Sequence, residues 1–240
     1  MLKAKMMRPA IAMIELIFAI VIMGIIMMSA PMLISTATKS GYVAIQQEAI
    51  NEAASQVNMI MGYHWDESDA DEKYIDPILR VASTTAGLVE AVPTTGRRLG
   101  TPEESYRSFV RSDGNSTLSA STTLGEDSVG EIKDDIDDFA GTSNIVLIPE
   151  STLVADYVET TININTTISY SADSVSGGGS YNQSDIIYTP FVGSAGTSNI
   201  KSITVKLTKA AGTPEELDKE ITLRAFSCNI GGYKLEERSF

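Results

Sequence analysis

Glu15 is the residue whose placement most demands chemistry. Apart from this carboxylate, every residue from 11 to 34 is apolar, small or hydroxylic. As a helix the stretch spans about 36 Å at about 1.5 Å per residue, enough for a hydrocarbon core of about 30 Å. A carboxylate at that depth is costly unless a cation meets it, so Glu15 points to a function and to a partner. Acidic residues also gather twice further on, at Asp66, Asp69, Asp71 and Glu72 and at Asp134, Asp135, Asp137 and Asp138. Either set offers the hard oxygens that calcium takes, although neither fits the EF-hand spacing. A solvated acidic face is the plainer reading of both, and no cofactor other than calcium has candidate ligands. His64 and Cys228 are the only residues of their types. His64, next to Trp65, reads as a structural or surface histidine, and Cys228, on an expected strand, as a small buried hydrophobe. With no P-loop, nucleophile elbow, zinc-helix motif or dinucleotide fingerprint in the chain, an enzyme is not expected. Three Asn-x-Ser/Thr tripeptides begin at Asn115, Asn165 and Asn182. Only Asn115, on an expected exposed loop with Asp113 two residues upstream, is a glycosylation candidate.

Lys3, Lys5 and Arg8 precede Ala10 and Ile11, and Ile14-Glu15-Leu16 opens the apolar run. Together these residues resemble the N-terminal signature of type IV pilins and type II secretion pseudopilins. Ala10 and Ile11 stand where that family more often has glycine and phenylalanine. The resemblance implies cleavage by prepilin peptidase between Ala10 and Ile11 and N-methylation of Ile11. It also implies that Glu15, fifth in the mature chain, meets the new amine in its own or a neighbouring subunit during assembly. Gly24 falls where the family has a helix-loosening glycine, and Pro31 lies one residue before its common proline. A plain signal anchor would account for the basic flank and the apolar run but not for Glu15. A secretory signal peptide needs a shorter run and a better site than Met28-Ser29-Ala30 before Pro31. By this resemblance the chain is a minor pilin or pseudopilin. Its partners would be other pilin-like subunits, met through parallel N-terminal helices, together with the peptidase and the inner-membrane assembly machinery. It would sit in a bacterial inner membrane with its N-terminus in the cytoplasm and its head outside, then in a periplasmic or extracellular filament. A major pilin and a membrane-anchored extracytoplasmic binding protein are the alternatives.

The elements that must present these groups follow from periodicity. Tyr42, Ile45, Ala49, Ala53, Val57 and Ile60 recur at steps of three or four among polar neighbours, which predicts an amphipathic continuation of the helix to about Met61, stopped by Gly62. Pro31 should bend or locally melt it. Val158, Thr160, Ile162, Ile164, Thr166, Ile168 and Tyr170 alternate strictly and predict a long half-buried strand. Residues 173–184, with Gly177-Gly178-Gly179, read as a loop, 186–191 as a returning strand and 200–208 as a third. A fourth at 221–230 should carry a bulge near Ala225, where the apolar phase switches. The expected organisation is a leader at 1–10, a transmembrane and assembly helix at 11–34, an amphipathic half at 35–62, an irregular connection at 63–153 and an antiparallel β head at 154–240. The fold class is therefore α+β, a long helix packed on a sheet in a pilin-like ladle. The formal charge is −13, and loss of residues 1–10 removes three basic groups and no acid, giving −16. So acidic a surface repels phosphate backbones, and no direct nucleic-acid binding is expected. One cysteine excludes an intrachain disulfide.

Overall fold

The computed structural model describes residues 8–70, 75–92, 96–98, 101–102, 107–128, 130–147, 160–181, 183–211 and 218–233, with residues 8–12, 91–92, 146–147, 160 and 233 by backbone alone. Lys3, Lys5, Asp71, Glu72 and the expected head boundary at 154 lie outside the described residues. The chain forms two compact units, Met1–Glu48 and Ala49–Phe240.

Helix α1 runs from Arg8 to Ile60 and contributes to both. In the first unit its large apolar side chains from Met13 to Ile34 are all at least 51% exposed. Ser29 donates to the carbonyl of Ile26 at 3.1 Å, Thr36 to Met32 at 2.9 Å and Thr38 to Ile34 at 3.0 Å. These hydroxyls are thereby satisfied within the helix and add no unpaired polar group to an apolar surface. The helix continues through Pro31, so of the bend or local melting expected there, the melting does not occur. Proline withholds the N–H that would reach the carbonyl of Met27 and crowds that carbonyl with its ring, while Met27, Met28, Met32 and Leu33 around it are good helix formers that carry the helix on.

In the second unit Ala49, Ala53, Val57 and Ile60 are buried, the stripe that the spacing predicts. Gln56 Nε2 donates to Thr166 Oγ1 at 3.0 Å from the same stretch. The helix ends at Ile60, and the N–H of Gly62 bonds the carbonyl of Met59 in the turn that follows, at 3.0 Å. Then come α2 (Glu67–Ala70), β1 (Ile75–Asp76), β2 (Glu90–Val92), β3 (Arg97–Arg98) and a 3-10 turn at Asp137–Phe139. The main sheet consists of β4 (Gly141–Leu147), β5 (Thr160–Ser171), β6 (Ile200–Lys209) and β7 (Ile221–Cys228), antiparallel in that order. β8 (Gly232–Tyr233) pairs with β1, and β2 with β3. Gly231 leads into β8 at φ 63°, and a Cβ there would stand 2.8 Å from the carbonyl oxygen of Asp76, so no larger residue fits.

A long apolar N-terminal helix and a C-terminal four-stranded antiparallel sheet make the chain α+β. Ile162, Ile164, Thr166, Ile168 and Tyr170 of β5 and Ile203, Val205 and Leu207 of β6 form the buried face, each large aliphatic among them contributing about 1.5–3 kcal/mol by leaving water. Three expectations are corrected. β4 lies inside the stretch 63–153 read as irregular, and it is an edge strand of the main sheet. Residues 186–191 are not a strand: β5 pairs directly with β6. The bulge near Ala225 is absent, because β6 and β7 keep one register from Ile200↔Cys228 to Leu207↔Ile221. Phe226 simply faces outward, and the rings of Tyr188 and Phe191 cover it at 6.4 and 6.2 Å between centroids. The apparent change of phase at Phe226 thus records a loop packed on the outer face.

Candidate functional site

Lys201 lies in phase with Ile203, Val205 and Leu207 and follows them onto the core face, where its side chain is fully buried. Its cross-strand neighbours are Tyr170 on β5 and Ser227 on β7. The ammonium stands 4.8 Å from the ring centre of Trp65 and 5.6 Å from that of Tyr170, and Trp65 Nε1 donates to the carbonyl of Ser227 at 3.3 Å. Two carboxylates close the remaining sides. Nζ is 3.0 Å from Asp66 Oδ2 and in contact with Asp137 Oδ1. Burial pulls the lysine towards its neutral form, but the charges of Asp66 and Asp137 outweigh it, and its pKa is raised.

Each carboxylate is held by its own short element. Asp66 caps α2: its Oδ1 accepts the N–H of Ser68 at 3.2 Å, while Asp69 Oδ1 accepts the N–H of Asp66 at 3.2 Å, a reciprocal capping box. Asp66 also accepts from Ser121 N–H at 3.1 Å and from Tyr170 Oη at 3.3 Å. In the second acidic run Asp135 Oδ1 accepts the N–H groups of Asp137 and Asp138 at 2.8 and 3.1 Å, and Asp138 Oδ2 those of Asp134 and Asp135 at 3.1 and 3.3 Å. The chain thereby wraps into the 3-10 turn that aims Asp137 at the lysine. Asp66 and Asp69 of the first run and Asp135, Asp137 and Asp138 of the second therefore belong to one cluster, with the ammonium of Lys201 between Asp66 and Asp137. Among the described residues no group of three or more acids, histidines or cysteines is arranged around a metal position. Asp134 is half-buried, and Asp66, Asp69, Asp135, Asp137 and Asp138 are buried, so the solvated acidic face is not what these residues form.

The cluster makes stability depend on pH. Burial, reinforced by the charge of Asp66, pushes Asp69 up to about 7, and burial next to Asp137 pushes Asp135 up to about 8. A carboxyl whose pKa is raised in the folded state binds more protons there than in the unfolded chain, whose value is about 3.9. Its contribution is complete below that value and is lost as pH rises through about 7 to 8. Lys201 changes charge only above the ordinary lysine range, outside this window. Asp173, lowered on balance, acts oppositely: burial raises it, but hydrogen bonds from Ser83, Asn199 and Thr85 outweigh burial, so its contribution is lost in acid below about 4. Melting followed by circular dichroism should be highest near pH 5 and fall by on the order of 5 °C towards pH 9. Asp135→Asn should flatten that fall, and a wild-type curve level from pH 5 to 9 would contradict the burial of these acids.

Asp173 anchors a second network at the strand ends. It accepts from Ser83 Oγ at 2.6 Å, Thr85 Oγ1 at 2.7 Å and Asn199 Nδ2 at 2.6 Å. Asn229 holds the N–H and carbonyl of Leu79 at 2.9 and 2.7 Å, and Arg98 donates to the carbonyls of Leu88 and Asn229 at 2.8 and 2.5 Å. A cavity of about 60 Å³ beside it is lined by Arg80, Ser83, Glu90, Phe109 and Asn199, among others. It is far smaller than the several hundred Å³ of a small-molecule site.

The other sequence candidates are placed as follows. Ala10 and Ile11 lie in the helical backbone of α1, Glu15 is exposed on it, and a Cβ at Gly24 would meet nothing within 4 Å. Asn115 is exposed on a turn whose N–H groups at Asn115 and Ser116 bond Asp113 Oδ1 at 2.8 and 2.9 Å. The Ser116 hydroxyl, together with those bonds, holds Asp113 down at about 2. His64 Nδ1 lies 3.6 Å from Asp76 Oδ2, and its carbonyl accepts the N–H of Ile136 at 3.0 Å. Cys228 is half-buried, with burial raising its thiol. Sequence reasoning missed Lys201, although its phase within β6 was the available signal. No protein-family model, no curated protein and no solved structure matches the chain.

Proposed function

We propose that this chain is a structural subunit of a type IV pilus or type II secretion filament, a minor pilin or pseudopilin and not an enzyme. The observation that carries the reading is Glu15, the lone carboxylate of residues 11–34, the apolar part of a helix that is long and apolar enough to cross a membrane. An anchor gains nothing from that carboxylate, whereas a subunit assembled through parallel helices gains an ion pair with a neighbour's N-terminal amine. The exposed apolar side chains from Met13 to Ile34 need covering, by lipid before assembly and by other stems afterwards. In this reading prepilin peptidase cuts between Ala10 and Ile11, Ile11 is methylated, and Gly24 and Pro31 give the stem the local adaptability that close packing requires. The head, carried outside the inner membrane, has an elaborated stretch between α1 and β4 that suits rare or terminal positions better than every position of a dense lattice. Mass spectrometry of protein from its native host tests the proposal. The mature N-terminal peptide should begin at N-methylated Ile11, and a chain that retains residues 1–10 would overturn it.

A further inference from the structure

Lys201, Asp66 and Asp137 carry a reactive arrangement as well as an ion pair. An amine and a carboxyl condense to an amide when they are held in contact, kept from water and able to exchange protons. Lys201 is fully buried, Asp66 is 0% and Asp137 2% exposed, and the lysine Nζ touches Asp137 Oδ1. Trp65 and Tyr170 wall the ammonium on its remaining sides, so water cannot easily compete for it or return to hydrolyse a product. We propose that Lys201 and Asp137 join in an intramolecular isopeptide bond, formed by the folded head without any added reagent. The inference does not depend on the filament reading.

The two carboxylates differ in a way that selects Asp137 as the electrophile. Asp66 is held as an acceptor on both oxygens, by Ser68 and Ser121 N–H on Oδ1 and by Ser121 N–H and Tyr170 Oη on Oδ2. Asp137 receives, besides the lysine, the N–H of Gly125 at 3.2 Å on Oδ2. In the condensation the ammonium passes one proton to Asp137, and the resulting amine attacks Cγ of the carboxylic acid. Asp66, with Oδ2 3.0 Å from Nζ, takes a second proton from the nitrogen and returns it to the departing hydroxyl. The C–O bond breaks, one water leaves, the third hydrogen remains as the amide N–H, and Asp66 is again a carboxylate. An ammonium and a carboxylate have become an amide and water, with no change of oxidation state. The raised pKa of Lys201 opposes the first proton transfer, and the high effective concentration of groups held in contact offsets that cost. Asp69 and Asp135, both raised by burial, limit the negative charge of the pocket near neutral pH. The product ties the 3-10 turn before β4 to the central strand β6, a covalent staple in a chain whose single cysteine cannot supply one.

Peptide mapping of the full-length, denatured chain decides the question. No lysine or arginine occurs between Lys133 and Lys201, so trypsin acting on unlinked protein releases residues 134–201 and 202–206 separately. A linked lysine resists cleavage, and the expected product is residues 134–206 lighter by one water, with fragmentation joining Asp137 to Lys201. Asp137→Ala should restore cleavage after Lys201 and the full mass. Asp66→Asn, checked for folding by circular dichroism, should leave most of the chain unlinked. Wild-type protein that yields the two separate peptides at full mass would overturn the proposal, and so would a bond mapped to Asp66. Because the wild-type digest is decisive by itself, a variant that fails to fold does not blur the result.

Discussion

Lys201→Ala should lower the stability of the head by about 3–5 kcal/mol, a large part of the 5–15 kcal/mol typical of a domain. Asp66 and Asp137 lie within a few per cent of complete burial on either side of the ammonium. Without it two negative charges face each other in a medium that solvates them poorly, while Trp65 and Tyr170 lose the cation they flank. The melting temperature should fall by about 10 °C or more. Combining Lys201→Met with Asp66→Asn and Asp137→Asn should recover the electrostatic part of the loss, because a buried ion cluster replaced as a whole by neutral groups of similar shape is often tolerated, but not the part supplied by a Lys201–Asp137 bond. Thermal melts of the full chain in detergent measure both. An alanine variant that melts with the wild type would mean that the carboxylates reach water and that the cluster is not closed.

The parts of the fold that could be read in advance are those where one physical signal dominates. β5 alternates from Ile162 to Tyr170 because one face is core and the other solvent, and the same residues are buried. Ala49, Ala53, Val57 and Ile60 recur at the helical period and are buried together. The errors arise where a second influence overrides the first. Phe226 is apolar on an outer face because Tyr188 and Phe191 cover it, which mimics a bulge. β4 is an edge strand with Thr142, Ser143 and Asn144 among its residues, so its alternation is weak. A lysine in a strand is expected to face solvent, yet the phase of Lys201 with Ile203 places it inside. The partners that make its burial tolerable are distant in sequence, at Asp66 and Asp137, and only the fold brings them together. The acidic runs were legible as clusters but not as complements of one cation.

Glu15→Ala should leave insertion and cleavage intact while reducing incorporation into filaments at least about tenfold. The substitution removes a charge that is unfavourable in an apolar surround, so membrane insertion becomes easier. Assembly suffers for the opposite reason. In the proposed filament the amine of Ile11 is carried into the same low-dielectric layer as Glu15, and removing the carboxylate leaves that amine unpaired among the side chains of neighbouring stems. The unpaired amine should cost more than the absent carboxylate saves, as it does when one partner of a buried pair is deleted. Glu15→Gln keeps the shape without the charge and should assemble as poorly as alanine. Glu15→Asp keeps the charge on a shorter arm and should retain part of the function. Mass spectrometry of the N-terminal peptide confirms processing in each variant, and quantitative immunoblots of sheared filaments against the membrane fraction measure incorporation. Normal incorporation of processed Glu15→Ala would show that Glu15 has no part in assembly, and a simple membrane anchor would then account for the helix better.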